Sequence, residues 1–181
     1  MMNNKFLVDC DDTIARLAIP LQNALNMATN KSYYWKNWTG CNLEEIYDIS
    51  SEQFIEIMIE GRVLEQALPI AGMQEALERM SDQGYAIRVC TKRSWHPQAM
   101  ELTKSWFDDF NLTYDSIDII GLNESKADIM KKWNSECLID DQLHNCQAAY
   151  THGYDSYLIR MPWHEQVTGF KTVNHLNEIF I

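Results

Sequence analysis

Phe6-Leu7-Val8-Asp9-Cys10-Asp11-Asp12-Thr13 is the stretch that decides the fold. Its unbroken apolar run reads as a strand buried on both faces, and the carboxylates that follow mark the strand's C-terminal end. Asp9 and Asp11 stand two residues apart, so on an extended backbone they face the same way, and a turn begins at once. Ligands of open α/β sheets bind outside the carboxyl ends of the strands. Two like-facing carboxylates at such an end suit one metal-bound phosphate, and therefore phosphoryl transfer. Acidic pairs also close many strands as plain caps and turns, so the reading needs support from elsewhere in the chain.

Three later stretches supply it. Tyr85-Ala86-Ile87-Arg88-Val89-Cys90-Thr91 is a second strand-like run, ending in a hydroxyl that can donate to a phosphate oxygen while the N–H groups of the next turn add donors. Taken alone, Thr91 reads as the cap of a following helix. Lys126, in Asn123-Glu124-Ser125-Lys126 at the start of a helical segment, offers an ammonium for a transferring phosphoryl group, although a lone lysine is more often solvated. Glu136-Cys137-Leu138-Ile139-Asp140-Asp141 is a third apolar run closing in carboxylates. Adjacent strand side chains diverge, so one of that pair can ligand a metal while the other orients the site from behind.

The spacing predicts strands near 5–9, 85–90, 116–120, 136–140 and 155–160, with helical segments between them. Glu75-Ala76-Leu77-Glu78-Arg79-Met80 has helical apolar spacing and stops at Gly84, while Trp106, Phe107 and Phe110 mark the buried stripe of the next helix. Strand-helix alternation implies a mostly parallel sheet covered on both faces, an α/β fold. Residues 14 to about 68 break that rhythm: helix-start patterns recur at Asn42-x-x-Glu45 and Ser50-x-x-Gln53 with no strong strand between.

With these motifs in order, the chain resembles haloacid-dehalogenase-superfamily phosphatases, and most of all the small 5′(3′)-deoxyribonucleotidases. Leu68-Pro69-Ile70-Ala71-Gly72 and Arg160-Met161-Pro162-Trp163 resemble further stretches of that family. The resemblance implies a Rossmann-like three-layer α/β/α core with a parallel sheet, formed by residues 1–14 and 69–181, and a small helical cap at 15–68 inserted after the first strand. It implies Asp9 as nucleophile, forming an aspartyl-phosphate, and Asp11 as the acid and then the base. Thr91, Lys126 and the backbone N–H of Lys92 would hold the phosphoryl oxygens. Asp9, the Asp11 main-chain carbonyl and Asp141 would ligand Mg2+, with Asp140 behind them; an all-oxygen set suits magnesium better than zinc.

Two departures stand out. Asp12 occupies a position where the superfamily usually has glycine; it reads first as a residue that tolerates the turn's backbone, with tuning of the metal site as the alternative. The bulky charged pair Lys92-Arg93 follows the motif threonine. In the cap, Tyr33-Tyr34-Trp35-Lys36-Asn37-Trp38 is dense in aromatic rings, from which Tyr34, Trp35 and Trp38 are expected to border a base pocket by stacking. The competing reading is cap core.

Composition narrows the function. The 181 residues suffice for one core with a modest insertion, and 15 basic against 26 acidic residues give a formal charge of −11, which disfavours long nucleic acid as a partner. The five cysteines, at 10, 41, 90, 137 and 146, form no C-x-x-C pair and read as packed thiols in a reducing compartment. The histidines lack metal-ligand spacing; His96-Pro97 reads as a helix start, and none is assigned to catalysis. The N-terminus shows no leader and the chain no membrane-length apolar run, so a cytoplasmic enzyme is expected. The expected activity is Mg-dependent hydrolysis of a nucleoside, and within that a deoxyribonucleoside, monophosphate. The alternatives are a polynucleotide-end phosphatase and a non-catalytic nucleotide- or protein-binding module on the same fold. The partner is a small-molecule nucleotide, with no membrane, and oligomeric state is left open, a homodimer included.

Overall fold

The computed structural model describes residues 5–164 and 167–180. In chain order its first elements are β1 (Lys5–Val8), β2 (Ala15–Arg16), α1 (Ala18–Thr29), α2 (Leu43–Tyr47), α3 (Ser51–Glu60), α4 (Val63–Gln66) and β3 (Leu68–Pro69). There follow α5 (Met73–Asp82), β4 (Ala86–Thr91), α6 (Ala99–Asp109), β5 (Ser116–Ile119), α7 (Lys126–Trp133), β6 (Cys137–Asp140), α8 (Leu143–Thr151), β7 (Asp155–Ile159) and β8 (Lys171–Val173).

Six strands form one sheet in the order β5-β4-β1-β6-β7-β8, every neighbouring pair parallel. The mostly parallel α/β fold expected from the strand-helix alternation is the fold observed, with the Rossmann-like character that the family resemblance implies. Strand pleating sorts the core into two layers. Phe6, Val8, Ile87, Val89 and Ile139 face one side, where Met73, Leu77 and Met80 of α5 and Trp106 and Phe107 of α6 cover them. Leu7, Cys90 and Leu138 face the other, under Met130 of α7 and Ala149 of α8. The expected strand positions hold to within a residue or two. Gly84 takes φ 80° just past α5, a left-handed stop that glycine adopts without a Cβ clash.

Between β2 and β3 the chain runs through α1 to α4. Both expected helix starts are present: the Asn42 side chain accepts from the Glu45 N–H, and Ser50 and Gln53 close a reciprocal capping box. At Gly61, just after α3, a Cβ would come within 2.7 Å of Ala24 Cβ on α1, so only glycine lets these segments approach so closely. The insertion has no separate core. Its Leu21, Leu25, Val63 and Leu64 belong to the same buried cluster as Val8 and Trp106, and Trp106 Nε1 donates to the Ala67 carbonyl at 2.8 Å. Among the described residues, no helix is long and apolar enough to cross a membrane.

Candidate active site

β1 lies between β4 and β6, where the chain order reverses, and a crevice opens there at the carboxyl ends. Asp9 follows β1 directly and its N–H donates to the Ile139 carbonyl at 2.9 Å. The chain then folds back tightly: Ile14 and Ala15 N–H both reach the Cys10 carbonyl at 2.8 Å. Thr91 ends β4, Asp140 ends β6 with Asp141 next, and Lys126 opens α7, held by the Ser125 hydroxyl that accepts from Ala127 N–H at 3.2 Å. Asp9, Asp11, Thr91, Lys92, Lys126 and Asp141 all border a single cavity, and Asp140 stands behind them.

Lys126 is 2% exposed and sits between two carboxylates, donating to Asp9 Oδ1 and, at 2.7 Å, to Asp140 Oδ2. Burial opposes its charge, but Asp140 and Asp9 overcome this and hold it protonated. Asp140 is otherwise saturated: its Oδ1 accepts from Gln142 N–H at 2.8 Å, and Asn145 Nδ2 donates to both oxygens at 3.0 and 3.1 Å. Asp141 accepts from Gln142 Nε2 at 2.8 Å through Oδ2 alone. Burial pushes the Asp9 and Asp141 carboxyls up; the pull of Lys126 only partly offsets this at Asp9, and the Asp9 and Asp140 charges add to it at Asp141.

Oxygens of Asp9, Asp140 and Asp141 lie within 4.8 Å of one another, all three residues buried. Three carboxylates facing one ammonium leave surplus negative charge in a dry place, which favours proton uptake or a cation. Among the described residues, Asp9 Oδ2 and Asp141 Oδ1 make no hydrogen bond, whereas both Asp140 oxygens are taken. The donor set fits a hard divalent cation such as Mg2+ held by Asp9 and Asp141, with Asp140 bracing Lys126.

Asp12 has φ 54° in the turn after β1, and its Oδ1 accepts from Arg16 Nη1 at 3.1 Å and Ala18 N–H at 3.2 Å. Burial pushes its carboxyl up to about 6 against the pull of Arg16. The side chain thus ties the turn after β1 to the start of α1, in line with the structural reading of this position.

The resemblance implies a phosphate contact for the Lys92 backbone N–H and no role for Arg93, and in the structure the two residues part company. Lys92 stays at the cavity wall, whereas Arg93 turns inward to 1% exposure and pairs with Asp11. Nothing in the spacing announces this. The one available signal is that a cation placed straight after a buried strand needs a buried anion if it is not solvated.

The cavity over the carboxylates has a volume of about 450 Å3 and a mostly apolar wall that includes Trp38, Phe54, Met58, Trp95 and Trp163. Of the three rings expected at a base pocket, only Trp38 is in this wall. Tyr34 is half exposed, and Trp35 lies under the Arg16 guanidinium, 5.3 Å from its ring centre. Trp38 is instead inclined by 34° to Trp163, centroids 6.5 Å apart. Trp163 lies in the family-like stretch 160–163, while Phe54 and Trp95 lie in no motif. His144, also in the wall, is biased to its neutral form by partial burial and by Lys92. His96 Nδ1 accepts from Gln98 N–H at 3.0 Å in the turn that leads into α6. Four thiols are buried, with burial holding Cys90 and Cys137 protonated up to about 12, and Cys41 is exposed in the cavity wall.

No family model matches the chain. Similar proteins include a provisionally named nucleotidase of Halalkalibacterium halodurans, 27% identical over 179 residues, covering 96% of this chain and 89% of that protein. Another, of Bacillus subtilis, is 23% identical over 144 residues, 78% of this chain and 72% of its own length. Among solved structures, a predicted phosphatase from Clostridium acetobutylicum matches 99% of this chain and 97% of its own with a TM-score of 0.73 at 17% identity. A haloacid-dehalogenase-superfamily hydrolase from Geobacter sulfurreducens matches 97% and 94% with a TM-score of 0.61 at 12% identity.

Proposed function

We propose that this chain, whose fold matches that of haloacid-dehalogenase-superfamily hydrolases, is a cytoplasmic, Mg-dependent phosphatase of nucleoside monophosphates. The observation that carries the proposal is the cavity: an aromatic and aliphatic chamber of about 450 Å3 standing over a carboxylate, lysine and threonine cluster. Such a volume suits one small ligand. A flat apolar ring can enter the chamber while a phosphate meets the charged floor. The nucleotidase names of two relatives support the same reading. The wall also carries polar side chains, among them Asp12, Glu44, Ser51 and Gln142, so the preference for deoxyribose over ribose rests on the resemblance of the motifs to the deoxyribonucleotidases.

In this reading Asp9 attacks phosphorus in line, an aspartyl-phosphate forms, and the nucleoside oxygen leaves with a proton from Asp11. Asp11 then takes a proton from the water that cleaves the acyl phosphate, returning Asp9 and inorganic phosphate. Lys126 and Thr91 hold the phosphoryl oxygens, and the apolar chamber keeps stray water from the site. A bound Mg2+ would offset the charge that keeps a carboxylate from approaching a phosphate dianion. The −11 overall charge argues against polynucleotide substrates.

The test is phosphate release from 5′- and 3′-nucleotides in both sugar forms, from sugar phosphates and from phosphorylated oligonucleotides. Deoxyribonucleotides should have the highest kcat/KM, Asp9→Asn should lower kcat at least about 10³-fold, and Trp38→Ala should act mainly on KM. Oligonucleotide preference would instead make this a polynucleotide-end phosphatase, and inactive folded protein binding nucleotides would make it a binding module.

A further inference from the structure

The pairing of Arg93 with Asp11 does more than neutralise a charge. Arg93 Nε lies 3.2 Å from Oδ1 and 3.0 Å from Oδ2, and Nη2 lies 2.5 Å from Oδ1. Its remaining arm, Nη1, donates to Thr103 Oγ1 of α6 at 2.9 Å, and both Arg93 and Thr103 are fully buried. A guanidinium fork fixes the plane of a carboxylate, which a lysine ammonium cannot do. Arg93 is absent from the cavity wall, where Asp11 stands in front of it. It is therefore placed to hold Asp11 and not to touch a ligand. A buried ion pair is a poor device for stability alone, because well-packed apolar residues serve as well.

The third donor to Asp11, which makes its fourth contact, is of another kind: the Thr91 hydroxyl, 3.1 Å from Oδ2. A carboxylate has about four acceptor positions. Here Oδ1 is covered by two guanidinium nitrogens and Oδ2 by the shared Nε and the hydroxyl. For Oδ2 to exchange a proton with a leaving group or a water, one donor must withdraw. The hydroxyl is the neutral, rotatable one, and an arriving phosphoryl oxygen gives it another acceptor.

Building on the function proposed above, we infer that Arg93, anchored by Thr103, is the positioning residue for Asp11. We infer also that substrate draws the Thr91 hydroxyl from Asp11 Oδ2 to the phosphoryl group, freeing that oxygen while Arg93 keeps its place. No bond is made or broken in this step beyond the exchange of one hydrogen bond.

The test is a double-mutant cycle with a deoxyribonucleoside monophosphate in the Mg2+-loaded protein, using Arg93→Met, Arg93→Lys and Thr103→Val, each alone and with Asp11→Asn. Alone, Arg93→Met should lower kcat about 10²-fold and leave KM within about threefold, the scale of a lost acid-base group. Arg93→Lys should recover no more than about a tenth of the lost rate, because it restores charge without the fork. Added to Asp11→Asn, Arg93→Met should cost less than about twofold more, since both act through one carboxylate. A loss that multiplies in full across the two backgrounds, or a KM rise at constant kcat, overturns the inference. Should Arg93→Met not fold, Thr103→Val gives the same test with a smaller loss, about three- to tenfold, again absorbed by Asp11→Asn. A wild-type protein that hydrolyses no phosphomonoester overturns the phosphatase reading and this inference together; an active one with multiplicative losses overturns the inference alone.

Discussion

Lys126 shows how one buried side chain can join two carboxylates and tie the folded state to pH. It carries the cationic charge between Asp9 and Asp140, all three side chains buried. Removing one partner of a buried pair leaves the other charge uncompensated, at a cost of about 3–5 kcal/mol. Lys126→Met should therefore destabilise the chelator-treated protein by that amount at about pH 8 in urea denaturation, and by much less at about pH 5, where protons can neutralise the carboxylates. A variant as stable as the parent at the higher pH would refute the account. The residues of this cluster were legible in the sequence because each ends or opens an element: Asp9, Thr91 and Asp140 close apolar runs and Lys126 starts a helix. Arg93 and the cavity rings Phe54, Trp95 and Trp163 were not, since their roles depend on which loop turns inward, and no local spacing records that.

At the scale of elements, the turn after β1 and the start of α1 are one unit through Asp12. Its αL backbone is one that glycine adopts freely and alanine does not, while its carboxylate secures Arg16 and the Ala18 N–H. Asp12→Gly should thus cost about 1 kcal/mol, like the loss of a helix cap, and Asp12→Ala should cost more, by thermal unfolding. Both should leave magnesium dependence nearly unchanged; a large shift in Asp12→Gly would assign the residue to the metal site. Elements with a full apolar run or periodicity were legible in the same way, as β1, β4, β6, α5 and α6 show. The ribbon of β2 and β3 and the short β8 were not, because two or three residues carry no period. Their pairing is set by what the rest of the chain brings alongside.

The whole molecule combines its −11 charge with carboxyls that burial holds above their ordinary range, Asp12 at about 6 and Asp9 and Asp141 in the same direction. A carboxyl raised on folding stabilises fully below its unfolded value of 3.8, and that contribution is lost as pH rises through about 6. Self-repulsion of the acidic surface acts in the same sense. Metal-free protein should accordingly unfold at a higher Tm at about pH 5 than at about pH 8, and Mg2+ should raise Tm more at the higher pH, where fewer protons compete for its ligands. A metal-free Tm that climbs over that interval would count against the charge balance described for the site.

The strand order also governs how the chain assembles as it is synthesised. β1 is made first and takes β4 on one edge, so Arg93 and then Lys126 are in hand before Asp140 and Asp141 emerge with β6. The nascent molecule need not bury its late acids ahead of a cation. Until β6 arrives, however, the other edge of β1 stands open with Phe6, Leu7 and Val8 along it, a template for any passing strand. The hazard of self-association lies in the half-made chain, at the very strand that leads into Asp9.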